Sequence, residues 1–192
     1  MDEQQAKALQ DRTEAKVRYA SVHLEELAAL EALRGDDFDR AHQESFLFHL
    51  LGALDAFLAE LNFYYQGGLP VEGLTPGKLR EVLKARGVES VELKEMRQLS
   101  QNETSWIRRA KTMRDHSTHI QGVARTFFVG GDQDGEVRLK DPRTAADSPQ
   151  HLVDQFRAWA DEMRTLVRRL RESALARSPL TRSSSGPADP DR

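Results

Sequence analysis

The chain contains no cysteine. Disulfides, thiolate metal sites and cysteine nucleophiles are therefore excluded, and the fold must rest on packing, hydrogen bonds and ion pairs. No run approaches the roughly 18 consecutive apolar residues of a membrane span. The opening stretch MDEQQAKALQDR is polar from its second residue and lacks the apolar centre of a signal peptide. The expected location is the cytoplasm, with no membrane partner. No internal repeat, no Gly-x-Ser-x-Gly elbow and no phosphate-binding glycine loop is present. The stretch GGDQDG lacks the glutamate spacing of a calcium loop and reads as a turn.

Hydrophobic residues make up 39% of the 192 and charged residues 31%. That balance suits one folded, largely helical domain with a proper core. The net charge of −3 hides an asymmetry. Residues 1–66 hold 6 Lys/Arg against 13 Asp/Glu, a balance of −7. Residues 106–125 hold five cations, Arg108, Arg109, Lys111, Arg114 and Arg125, against Asp115, a balance of +4. Such an island can attract phosphate groups, or it can pair with the acidic helices of the same or a second chain.

Hydrophobic spacing predicts four long helices. The first covers about 2–34, with Leu9, Val17, Ala20, Leu24 and Leu27 on one face and Gly35 as its stop. The second, 38–66, contains FLFHLLGALDAFLAELNFYY, apolar around most of its circumference, and should be central; Asp37 is its candidate cap. Residues 67–102 form a helical insertion, with TPGKLREVLKARG and VELKEMRQL as short helices. SQNE offers a capping box (Ser100, Glu103) for the third long helix, whose seam is Trp106, Ala110, Met113, Ser117 and Ile120. Residues 126–141 read as a β-hairpin around GGDQDG. Ser148 and Pro149 open the last helix, with Leu152, Phe156, Trp159, Met163, Leu166 and Leu170 inward. The expected fold class is all-α: an antiparallel four-helix bundle over residues 1–177, carrying the helical insertion and small hairpin. Residues 178–192 form a disordered tail.

Chemistry concentrates in MRDHSTH. Arginine offers a permanently charged planar fork suited to phosphate, and histidine titrates near neutrality. The two suffice for metal-independent RNA cleavage: the histidine assists the 2′-hydroxyl, and the arginine stabilises charge on the phosphoryl oxygens. RDHSTH resembles the Arg-[Asn/Asp/His]-x3-His motif of the HEPN superfamily, late in the third helix of a helical bundle. That resemblance implies an endoribonuclease or RNA-binding protein of toxin or defence type. Arg114 would hold the scissile phosphate, His119 would be the acid/base and Asp115 would orient the pair. Arg108, Arg109, Lys111 and Arg125 would contact RNA. It further implies a homodimer with a composite site, a cognate antitoxin as partner, and no cofactor or metal. A second resemblance, carried by RYASVHLEELAAL and ESFLFHLLGALDAFLAEL, is to a short bacterial helical family of unknown function.

Two alternatives stay open. The motif can be structural in a non-catalytic interaction protein. Or His49, His116 and His119 can bind a metal, although no Glu-x-x-His di-iron motif accompanies them. His49 in FLFHLL also reads as a hydrogen-bonded core histidine, and His23 and His42 as solvated. Trp106 and Trp159 read as core or interface rings. Geometry adds a constraint: a five-residue offset turns two side chains by about 140°. Arg114 and His119 meet only if the helix distorts at DHST or a second copy supplies one of them.

Overall fold

The most apolar segment becomes the axis of the protein. In the computed structural model, which describes residues 3–30, 32–33, 36–119 and 122–178, α2 spans Asp37–Tyr64. Asp36 starts it, accepting a hydrogen bond from the Asp39 N–H at 3.0 Å, one position before the Asp37 expected as cap. Phe46, Leu47, Leu50, Leu51, Leu54, Phe57, Leu58 and Leu61 are all buried, so the helix is enclosed on nearly every side. An 18-residue window of α2 reaches a mean hydropathy of 1.4, and 67% of it is buried inside the protein. By composition this helix could cross a bilayer; here its apolar length forms the core.

α1 (Glu3–Ala28) runs antiparallel to α2, as the pairs His23/His42, Lys16/His49 and Gln10/Tyr64 show. It buries Val17, Ala20, Leu24 and Leu27 but ends at Ala28, short of the expected 34. The chain turns there so that Leu33 packs into the core. Gly35, the expected stop, lies outside the described residues. α6 (Leu152–Arg177) packs on α1 and α2, and α5 (Trp106–His119) packs on α2. All six inward residues expected on α6 are buried. Phe156 stacks on Phe46 at 4.3 Å and meets Trp159 at 5.8 Å. Each such side chain contributes about 1.5–3 kcal/mol through burial.

Three expectations are corrected. α5 is capped by Ser105, whose Oγ accepts from the Arg108 N–H at 3.1 Å; Ser100 instead lies inside α4 (Val91–Gln101). The buried line of α5 is Ile107, Ala110 and Met113, and Trp106 is only half-buried. Ile120 lies outside the described residues. Ser148 and Pro149 belong to a strand, and His151 caps α6 by accepting from the Val153 N–H at 3.3 Å. The Ser148 hydroxyl donates to Gln155 Oε1 instead, and Pro149 is tolerated because an edge strand can do without one N–H.

The hairpin is therefore part of a three-stranded antiparallel sheet in the order β1 (Arg125–Phe127), β2 (Val137–Lys140), β3 (Asp147–His151). Arg125 sits opposite Leu139 and Phe127 opposite Val137; Val137 and Leu139 face the core. Among the described residues the fold is mostly helical, six α-helices with this small sheet. Ser178, placed in the tail by sequence, is buried and donates to the Tyr64 carbonyl at 2.7 Å. Residues 179–192 lie outside the described residues.

Buried charges tie the elements together. Arg171 on α6 grips Glu60 on α2 with Nε and Nη2 at 2.8 and 2.9 Å, and Glu60 is fully buried. Glu92 on α4 is equally buried and accepts hydroxyls from Ser173 at 2.6 Å, Ser90 at 2.7 Å and Tyr65 at 2.7 Å. Burial alone would raise the Glu92 pKa; the three hydroxyl donors outweigh it and hold the carboxyl below its ordinary value.

Two predictions follow from these groups. Arg171→Met leaves Glu60 buried without its cation and should cost about 3–5 kcal/mol in urea unfolding; an unchanged midpoint contradicts the pairing. Glu92 has a lower pKa folded than unfolded, so its stabilisation is present above the unfolded value of about 4.3 and is lost as pH falls below it. Glu92→Gln should flatten the acid limb of the stability–pH curve below about pH 4.3, and an unaltered limb assigns the acid loss to other carboxylates.

Candidate functional site

α2 is covered on one flank by two short helices instead of a long one. α3 (Pro76–Ala85) is started by Thr75, which accepts from the Lys78 N–H at 3.2 Å, with Pro76 in the first turn. α4 is started by Ser90 in the same way, through the Leu93 N–H. Between α2, α3, α4 and α5 lies a cleft of about 940 Å³. Its floor is aliphatic: Leu51, Leu54, Leu58, Leu83, Leu93 and Met96. Each of these is buried, so the floor lies deep between the helices. Its walls carry Arg80, Lys84, Lys94, Arg97, Lys111 and Arg114 against Asp55 and Glu89. No aromatic ring is among the described lining residues.

Two members of the expected RNA site stand here. Lys111 is half-buried and donates to Ser100 Oγ at 3.0 Å. Burial pushes its ammonium below the ordinary lysine value; Asp55 opposes that shift, and Arg114 adds to it. Arg114 is held by its neighbour: Nε and Nη2 donate to Asp115 Oδ1 at 3.1 and 2.8 Å, with 35% of the arginine side chain exposed. Asp115 thus contacts Arg114, its neighbour in the chain, but not the Arg114–His119 pair it was expected to orient.

His119 is elsewhere. α5 continues as an α-helix through DHST to His119, so the distortion that could have brought the two residues together does not occur. His119 is exposed at the helix end and is not part of the cleft. Within one chain Arg114 and His119 form no common site, and Asp115 touches only the arginine of the two.

The other expected RNA contacts separate. Arg108 Nε lies 3.4 Å from Glu103, an ion pair without a hydrogen bond. Arg109 sits over the Trp159 ring on α6 at 5.9 Å. Arg125 is not a surface cation. It is paired with Asp39 at 2.8 Å, the two side chains 7% and 1% exposed; β1 places it there to fasten the sheet to α2.

The three-histidine metal reading is also corrected. His116 sits 3.4 Å from the Gly122 carbonyl, whereas His49 lies on the α1–α2 face with Lys16 and His23. His49 is half-exposed, not a core residue, and His23 contacts His42 instead of standing in solvent. Burial, then neighbouring positive charge, lowers the pKa of both His23 and His49. Among the described residues no group of three or more His, Asp or Glu is arranged to hold a metal.

Sequence reasoning missed the α3 and α4 contribution. Arg80 and Lys84 are four apart and Lys94 and Arg97 three apart, spacings that place each pair on one helix face. The cations thus rise from the same short helices whose Leu83, Leu93 and Met96 line the floor. That pattern was available but was assigned to connecting structure.

No curated protein and no solved structure matches the chain. A family model matches residues 8–176, a span that takes in the cleft, the α5 motif and the sheet. The chain belongs to that family, described as a family of unknown function (DUF6586).

Proposed function

We propose that the protein binds an amphipathic anion in the cleft between α2, α3, α4 and α5. An aliphatic tail would lie on the leucine and methionine floor, and its carboxylate or phosphate head would meet Lys111 and Arg114. The observation that carries this reading is the combination of a ring-free aliphatic floor with six cations against two carboxylates. A cleft of this volume is in the range of small-molecule sites. Lys111 supports the assignment, because an ammonium short of compensating charge gains from an anion beside it. Isothermal titration of the full chain with dodecyl phosphate, dodecanoate and neutral dodecyl maltoside tests it. The anionic ligands should bind at least tenfold more tightly. Lys111→Ala and Arg114→Ala should each weaken them by about tenfold, about 1.4 kcal/mol. Equal binding of the neutral ligand would remove the role of the cations.

One observation favours a second reading. The Arg114–Asp115 contact pre-orients the guanidinium, as an endoribonuclease resembling the HEPN superfamily would require. Because His119 lies outside the cleft that Arg114 lines, this reading needs a two-fold homodimer in which each copy supplies one group, with an antitoxin as its natural partner. Cleavage of RNA in the presence of EDTA is its signature, and His119→Ala should then lose about 10²–10⁴-fold in rate. His116→Ala should stay near wild type. If the wild type cleaves no RNA under these conditions, Arg114 serves the cleft alone.

A further inference from the structure

Away from the cleft's leucine floor, the α1–α2 pair carries a ladder of rings. Phe38 lies 4.4 Å from His42, His42 lies 5.1 Å from His23, and His23 stacks on His49 at 5.6 Å with an interplanar angle of 5°. At its centre, His23 Nδ1 and His42 Nδ1 face each other at 3.3 Å.

At that distance the nitrogens are within hydrogen-bond reach, slightly beyond the about 2.7–3.2 Å usual for N–H···O bonds. A linear N–H···N bond of this length would also set the ring centroids about 5.6 Å apart, more than the 5.1 Å found. A metal fits both values. Tetrahedral ligation at about 2.0–2.1 Å puts two imidazole nitrogens about 3.4 Å apart and their ring centroids about 5.2 Å apart.

We propose that His23 and His42 form a two-histidine site for a divalent transition metal of the zinc class, ligated through both Nδ1 atoms. Water completes the shell: no third His, Asp or Glu among the described residues joins the pair, and both histidines are partly exposed. Two neutral imidazoles suit zinc, copper or nickel and not the oxygen-seeking magnesium or calcium. His49, parallel to His23, and Phe38, against His42, keep the rings in the ligating orientation. The antiparallel α1–α2 pairing sets the bite, with one ligand from each helix.

The test is titration of the chelator-treated full chain with zinc chloride, followed by calorimetry and by histidine nitrogen NMR. One zinc per chain should bind at micromolar concentration. His23→Gln and His42→Gln should each weaken it at least tenfold, whereas His116→Gln should not. In the wild type, zinc should convert both rings to the Nε2–H form, a readout independent of whether the variants fold. Binding only at millimolar zinc, affinity unchanged in both variants, or rings that keep a proton on Nδ1 would each overturn the proposal and leave a hydrogen-bonded pair.

Discussion

A helix that is apolar nearly all round must be covered nearly all round, and α2 imposes that demand on the rest of the chain. α1 covers one side along its length, α6 and α5 cover two more, and the remaining flank falls to α3 and α4. Helices of 10 and 11 residues cannot seal a flank as a long one does, since each spans only about 1.5 Å per residue. The cleft is the consequence: Leu51, Leu54 and Leu58 of α2 form its base because no long helix lies over them.

Charge is distributed by the same logic. Cations that reach the interior are matched to carboxylates: Arg171 to Glu60 and Arg125 to Asp39. These pairs orient one element on another, since each buried charge requires its partner. Among the cleft cations Arg114 keeps Asp115, but the set as a whole is not matched in this way. Lys111 has a serine hydroxyl as its hydrogen-bond acceptor, and the walls hold more positive than negative charge. An excess of one sign beside an apolar floor has no structural necessity, and it is this excess that points to a ligand.

Periodicity made the long helices legible. The spacing of Leu152, Phe156, Trp159, Met163, Leu166 and Leu170 announced α6, and FLFHLLGALDAFLAEL announced a central helix. Boundaries were less legible because they depend on hydrogen bonds that sequence only permits. Ser100 and Ser105 both precede a plausible helix, but only Ser105 sits where its Oγ meets the Arg108 N–H. Ser148-Pro149 looks like a cap but becomes a strand because β2 is there to pair with it. The site was half legible. Lys111 and Arg114 stood out as part of a basic island, whereas Asp115 contacts Arg114 without reaching His119. Arg125 belonged to the same island by sequence and to a buried ion pair in space. The His23–His42 contact was invisible, since it joins residues from two helices whose register only the packed structure fixes.

The central claim is that the cleft is the working surface and takes an aliphatic anion. Methyl NMR of the full chain during titration with dodecyl phosphate tests it most directly. The leucine and methionine methyls of the floor, Leu51, Leu54, Leu58 and Met96 among them, should shift together and saturate near one equivalent, while Val22 on the α1 surface stays fixed. Floor methyls that do not move, or shifts spread evenly over both faces of the protein, would contradict the account.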